Sequence, residues 1–185
     1  MHQYDQPRME KAIANFIEGM GLDLEDQHLR RTPERVAKAW IKTFGAGYGQ
    51  DPKDILNVEF VDKYDSLVIV KDIPFISHCA HHLVSFRGTA KIGYLPSGKV
   101  TGLSKLARIL ECFAHRLQVQ EHLTDQVADT LMEYLEPKGV GVVLTAEHEC
   151  MTCRGIQSTG AMTVTSSIRG ALLTDLGLKQ EFLDA

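Results

Sequence analysis

Two pairs of metal-donor side chains recur at one spacing. Cys79 and His82 are three residues apart, and so are Cys150 and Cys153. Thiolate and imidazole are the preferred zinc donors. A C-x-x-H beside a C-x-x-C supports two arrangements. Either all four side chains close a structural site, or three hold the ion and an open position takes water, as a catalytic centre requires. A third reading is ordinary buried thiols, since free cysteine is often simply core. Cys112 lies inside a helical apolar pattern and reads as core. Four cysteines in 185 residues are too sparse for a disulfide scaffold.

His81 and His148 each adjoin a candidate donor. An imidazole near a metal-activated water can move protons; the plainer reading of each is an exposed or supporting histidine. Arg35 and Lys38 are three apart on one helix face. Ser104, Lys105 and Arg108 open another helix, and Arg154 follows the second cysteine pair. Helix N-termini and cations favour anions, so these segments can assemble a polyphosphate cradle; read singly, they are solvated helix faces. No Walker-type glycine-rich loop is present. Gln120 and Glu121 open a further helix. A carboxylate there can accept from a guanine edge, or it can simply complement the helix dipole.

The elements that must position these groups follow from periodicity and turn chemistry. The pattern predicts helices over residues 5–20 and from Thr32 to about Phe44, the second capped by Thr32 with Pro33 in its first turn. Strands are expected over 67–70, about 83–95, 140–144 and about 161–168. Between the second and third lie helices over about 104–116 and 119–135, and a short tail closes the chain near 180–183. The core order β-β-α-α-β-β argues for an α+β fold, an antiparallel sheet with helices on one face. Residues 1–60 read as an N-terminal helical extension and 61–185 as the domain that carries the sheet.

Composition narrows the classes. Hydrophobic residues make up 44% and charged residues 24%, as in a globular chain. With 20 Lys+Arg against 24 Asp+Glu, the net charge of -4 gives no global reason to expect nucleic acid. No apolar run reaches a membrane span, and the opening MHQYDQPRME is no signal peptide. The expected compartment is cytoplasmic, with no membrane partner.

Several long motifs in order carry a resemblance. His78-Cys79-Ala80-His81-His82, the run from Gly102 to Arg108, the run from Leu117 to Glu121 and the run from His148 to Gly155 resemble GTP cyclohydrolase I. The run from Thr32 to Lys38 and the terminal Glu181-Phe182-Leu183 fit as well. The resemblance spans about residue 8 to the end.

It implies a tunnelling fold, a homodecamer of two pentameric rings, and active sites at subunit interfaces. The implied reaction turns GTP and water into 7,8-dihydroneopterin triphosphate and formate, at the entry to folate, tetrahydrobiopterin or deazaguanine routes. By resemblance Cys79, His82 and Cys150 hold Zn2+, and Cys153 stands at a position that is not a family ligand. His81 and His148 match the proton-transfer histidines, and Ser104 a residue of the later ribose chemistry. Glu121, with Gln120 beside it, matches the guanine anchor. Arg35, Lys38, Lys105, Arg108 and Arg154 match the triphosphate contacts. One departure stands out: Ala80 occupies the place of the family's usual glutamate in C-E-H-H. A relative acting on another purine or pterin, or a weakly catalytic paralogue, is the alternative that Ala80 motivates.

Overall fold

A computed structural model describes residues 3–57 and 59–185. The chain begins with helix α1 (Gln6–Gly19), capped by the Asp5 carboxylate, which accepts from the Arg8 backbone N–H at 3.0 Å. Helix α2 (Thr32–Ala39) opens with proline in its first turn. The pattern carries an α-helix on to Phe44, but the chain widens into a π-helical turn over Trp40–Phe44. The Gly45 N–H closes that turn on the Trp40 carbonyl at 2.7 Å. Next come a 3-10 turn (Ala46–Gly49), α3 (Pro52–Ile55), β1 (Glu59–Val61), β2 (Val68–Cys79), β3 (Ser85–Leu95) and β4 (Lys99–Thr101). The remainder is α4 (Leu103–Ala114), β5 (Leu117–Gln118), α5 (Gln120–Leu135), β6 (Gly139–His148), α6 (Glu149–Thr152), β7 (Met162–Gly170), α7 (Ala171–Thr174) and α8 (Leu176–Asp184).

Five strands form one sheet in the order β5-β2-β3-β6-β7. All neighbours run antiparallel except the short β5, which lies parallel to the end of β2. The fold is α+β. Strand β2 runs nine residues beyond the expected 67–70, and a bulge explains why the alternation was hard to read. Val70 pairs with Ile92 and Ile73 with Ala90, so Lys71 and Asp72 together oppose Lys91. Asp72 takes a left-handed φ of 58° to admit the extra residue. The extra residue shifts the parity: Val68 and Val70 before it, and Ile73 and Phe75 after it, all face the same core.

That core lies between the sheet and α4 and α5. Leu106, Ile109, Leu110 and Phe113 of α4 and Leu123, Val127 and Leu131 of α5 meet Phe86, Ile92, Tyr94, Val140, Val142 and Leu144. The sequence places helices on one face only, with a short tail at 180–183; the structure corrects this. Phe182 of α8 and Leu172 of α7 pack with Leu67 and Leu95 on the opposite face. Each C-terminal helix is too short to display a convincing period. Glycine makes the seat possible: a Cβ on Gly141 would stand 2.6 Å from the Phe182 ring. Among the described residues no helix is long and apolar enough to cross a membrane.

Candidate metal centre and active site

Three separated segments deliver donors to one end of the sheet. Cys79 ends β2 and is buried. Its N–H donates to the Val84 carbonyl at 2.9 Å, while its carbonyl accepts from the N–H groups of His82 (3.3 Å) and Leu83 (2.8 Å). This tight turn, with Leu83 at φ 58°, folds His82 back over Cys79. Cys150 arrives on α6, directly after β6, whose His148 pairs with Phe86 of β3.

The donor atoms of Cys79, His82 and Cys150 all lie within 4.8 Å of one another. Cys79 Sγ is 3.8 Å from His82 Nδ1. Sulfur and nitrogen sharing a tetrahedral zinc are separated by about 3.5 Å, so two thiols and one imidazole fit the ion in chemistry and spacing. Burial, and then the neighbouring Cys79 sulfur, push the Cys150 thiol above its usual range. A divalent cation between the two sulfurs would reverse that penalty. Cys153 is outside the group: it is exposed, and its thiol donates to the Glu149 carbonyl at 2.8 Å. His81 is exposed, with Nδ1 3.8 Å from Cys79 Sγ.

His148 is held from two sides. Its ring stacks on Phe86 at 4.5 Å with 3° between planes. Its Nε2 lies 2.6 Å from Gln120 Oε1. The Gln120 amide nitrogen faces the carbonyls of Leu144 (3.2 Å) and Thr163 (3.1 Å), which can only accept. That orientation puts the amide oxygen toward His148, so Nε2 carries the proton and Nδ1 keeps the lone pair. Burial holds the His148 imidazole below its usual 6.5, with Glu121 pulling the other way. Gln120 is 1% exposed, and its amide nitrogen also donates to Thr165 Oγ1 at 3.1 Å. Sequence reasoning offered Gln120 as a neighbour of the guanine anchor and did not see this network. The pairing of Gln120 with Thr163 and Thr165, over forty positions away, leaves no local signal. Glu121, next on α5, is exposed at the same end.

The cations divide. Arg154 Nη1 lies 3.0 Å from His82 Nε2, at the metal group. Arg35 and Lys38 are exposed on α2, where Lys38 pairs with Glu34. Ser104, Lys105 and Arg108 are carried by the first half of α4, and that helix starts at the other end of the sheet. Just before it, the Thr101 N–H donates to Tyr94 Oη at 3.1 Å. Tyr94 stands nine residues along β3 from Ser85, roughly 30 Å. From Ser104, α4 rises back about 15 Å to Ala114, whose carbonyl accepts from Ser77 at 2.7 Å. One chain therefore joins Cys79, His82, Cys150, His148, Gln120 and Arg154, and does not bring Ser104 and Lys105 to them. Ala80 is exposed at the turn, its N–H donating to the Gln118 carbonyl at 2.9 Å.

Known proteins place this arrangement. The description of the GTP cyclohydrolase I family matches residues 9–185. A GTP cyclohydrolase 1 of Janthinobacterium sp. (strain Marseille) is 54% identical over 166 residues, which is 89% of this chain and 83% of that protein. One from Mycolicibacterium vanbaalenii is 50% identical over 184 residues, covering 98% and 91%. One from Thermobifida fusca is 50% identical over 182 residues, covering 97% and 87%. With near-complete coverage on both sides, and the metal-donor group and the held histidine in place, the chain belongs to the GTP cyclohydrolase I family of hydrolases.

Proposed function

We infer that this chain converts GTP and water to 7,8-dihydroneopterin triphosphate and formate. The observation that carries the reading is the three-donor group of Cys79, His82 and Cys150, at the same end of the sheet as a histidine whose tautomer Gln120 fixes. Cys79, His82 and Cys150 would hold zinc. Zinc, when bound there, leaves a coordination position for water and lowers the pKa of that water.

The chain's own groups do the rest. His148 Nδ1 takes and returns a proton at the purine imidazole and the ribose, with His81 as the second proton carrier. Glu121 accepts hydrogen bonds from the guanine edge. Arg35, Lys38, Lys105, Arg108 and Arg154 bind the triphosphate, whose charge a chain of net -4 would otherwise repel. Ser104 serves the ribose rearrangement that precedes closure of the pterin ring. Residues 61–185 form the tunnelling-fold domain and 1–60 its helical extension. Ten copies assemble as two pentameric rings, which brings α4 of one chain to the metal end of another.

The test is to incubate zinc-loaded protein with GTP and to assay formate together with the fluorescent oxidised pterin. Equal amounts of both are expected, with Ala80 tolerated. Formate without pterin would mean that ring opening occurs and closure fails. Neither product from a zinc-loaded, assembled protein would sink the reading in favour of another purine or pterin substrate or of a weakly catalytic paralogue.

A further inference from the structure

His78 immediately precedes the donor Cys79, yet the two side chains alternate across the strand. Ser77 and Cys79 face the α4 side, where the Ser77 hydroxyl reaches the Ala114 carbonyl. The His78 ring turns the other way and is 8% exposed. It lies between two rings of the π-helical turn, 4.9 Å from Trp40 and 4.4 Å from Phe44. Those two rings also meet each other edge-on at 5.6 Å.

The segment carrying these rings is itself anchored. The Tyr4 hydroxyl donates to the Gly45 carbonyl. The Gly47 N–H donates to the His115 carbonyl at 3.0 Å, and the Leu117 N–H to Tyr48 Oη at 3.1 Å. Leu117 and Gln118 in turn pair with His78 and Cys79. Residues 40–49 therefore grip the end of β2 twice, through β5 and through the three rings. Helix α2, carrying Arg35 and Lys38, runs directly into this segment. A π-helical turn is rare and tends to mark a functional position.

We propose that His78 is a positioning residue that, through Trp40 and Phe44, couples the placement of α2 and its cations to the metal-bearing end of β2. The inference rests on the reading of Arg35 and Lys38 as triphosphate contacts. The three rings touch one another and His78 is buried among them, so a displacement of Cys79 onto a metal is passed through these contacts to the root of α2. Coupling of this kind is reciprocal: metal tightens phosphate binding by the same factor as phosphate tightens metal binding.

The experiment uses the assembled full-length protein, stripped with chelator or reloaded with zinc, and inorganic tripolyphosphate as the probe. Trp40 is the only tryptophan, so its emission reports the three-ring contact directly. In the wild-type protein, zinc is expected to shift that emission and to tighten tripolyphosphate about tenfold. In His78→Ala the emission stops responding and the tightening falls below about twofold. The same variant raises KM for GTP about tenfold and leaves kcat within about threefold, the signature of lost binding rather than lost chemistry. His78→Phe restores a ring between Trp40 and Phe44 and recovers most of the coupling. Undiminished zinc-dependent tightening in His78→Ala overturns the inference, as does a fall in kcat at unchanged KM. Wild-type tripolyphosphate affinity in Arg35→Ala overturns the phosphate reading of α2 and the inference together.

Discussion

At the residue scale, the distinction between Cys150 and Cys153 is decided by where each sulfur points. Cys150 joins Cys79 and His82, while Cys153 turns back onto the Glu149 carbonyl. Cys150→Ala is therefore expected to lose bound zinc, and Cys153→Ala to keep one ion per chain, as measured by release to a chromogenic chelator. A four-donor structural site would lose the ion in both variants. His148 carries a second expectation. Because burial lowers its pKa, the neutral form with a free Nδ1 persists below pH 6.5. The acid limb of the His148 titration, followed by NMR of the metal-free protein, is expected below that value. Glu121 favours the charged form, so Glu121→Gln moves the limb further down; an upward move would contradict the assigned electrostatics. His148→Ala is expected to lower kcat by about 10²–10⁴-fold, the range of a lost proton carrier.

Elements set the strength of the frame behind these groups. Phe182 seats α8 over Gly93 and Gly141, on the sheet face away from α4 and α5. Phe182→Ala is expected to cost about 3–5 kcal/mol of stability, read from denaturant midpoints at fixed protein concentration. Zinc stoichiometry should not change, because the seat lies away from the donors. A second contact ties α5 to β7: Asp125 accepts from the Ser167 hydroxyl at 2.8 Å and from Arg169 at 2.9 Å. Ser167 first, then Arg169, hold the Asp125 carboxyl below its usual 3.8. A depressed carboxyl stabilises the fold above its unfolded value and loses that contribution as pH falls through the folded one. Asp125→Asn is expected to cost at most about 1 kcal/mol at neutral pH, given the exposure of the pair. The gap from wild type should close as the pH drops below 3.8.

For the whole molecule, the far position of Ser104 and Lys105 is the deciding fact. If the site is completed by α4 of another copy, two inactive variants can rescue each other. Lys105→Ala and His148→Ala chains, unfolded together and reassembled, are expected to regain about a quarter of wild-type activity, the share of sites that draw both intact residues. No recovery beyond the separate variants would place all the groups of a site in one chain.

The sequence by itself determined the chemistry-bearing types and most of the architecture. The C-x-x-H and C-x-x-C spacings, the periods of α1, α4 and α5, and the runs of β-forming residues in β3 and β6 are local, so they are legible one segment at a time. It also named His148 as a candidate proton carrier, but not the proton's position, because that depends on Gln120 meeting Leu144 and Thr163 across the fold. The bulge at Asp72 hid most of β2, since one inserted residue reverses the alternation on which strand reading depends. Only the tertiary structure decided which face receives Phe182 and which cations stand far from Cys79. Those are distances between residues remote in the chain, fixed by strand pairing and packing that no single segment encodes.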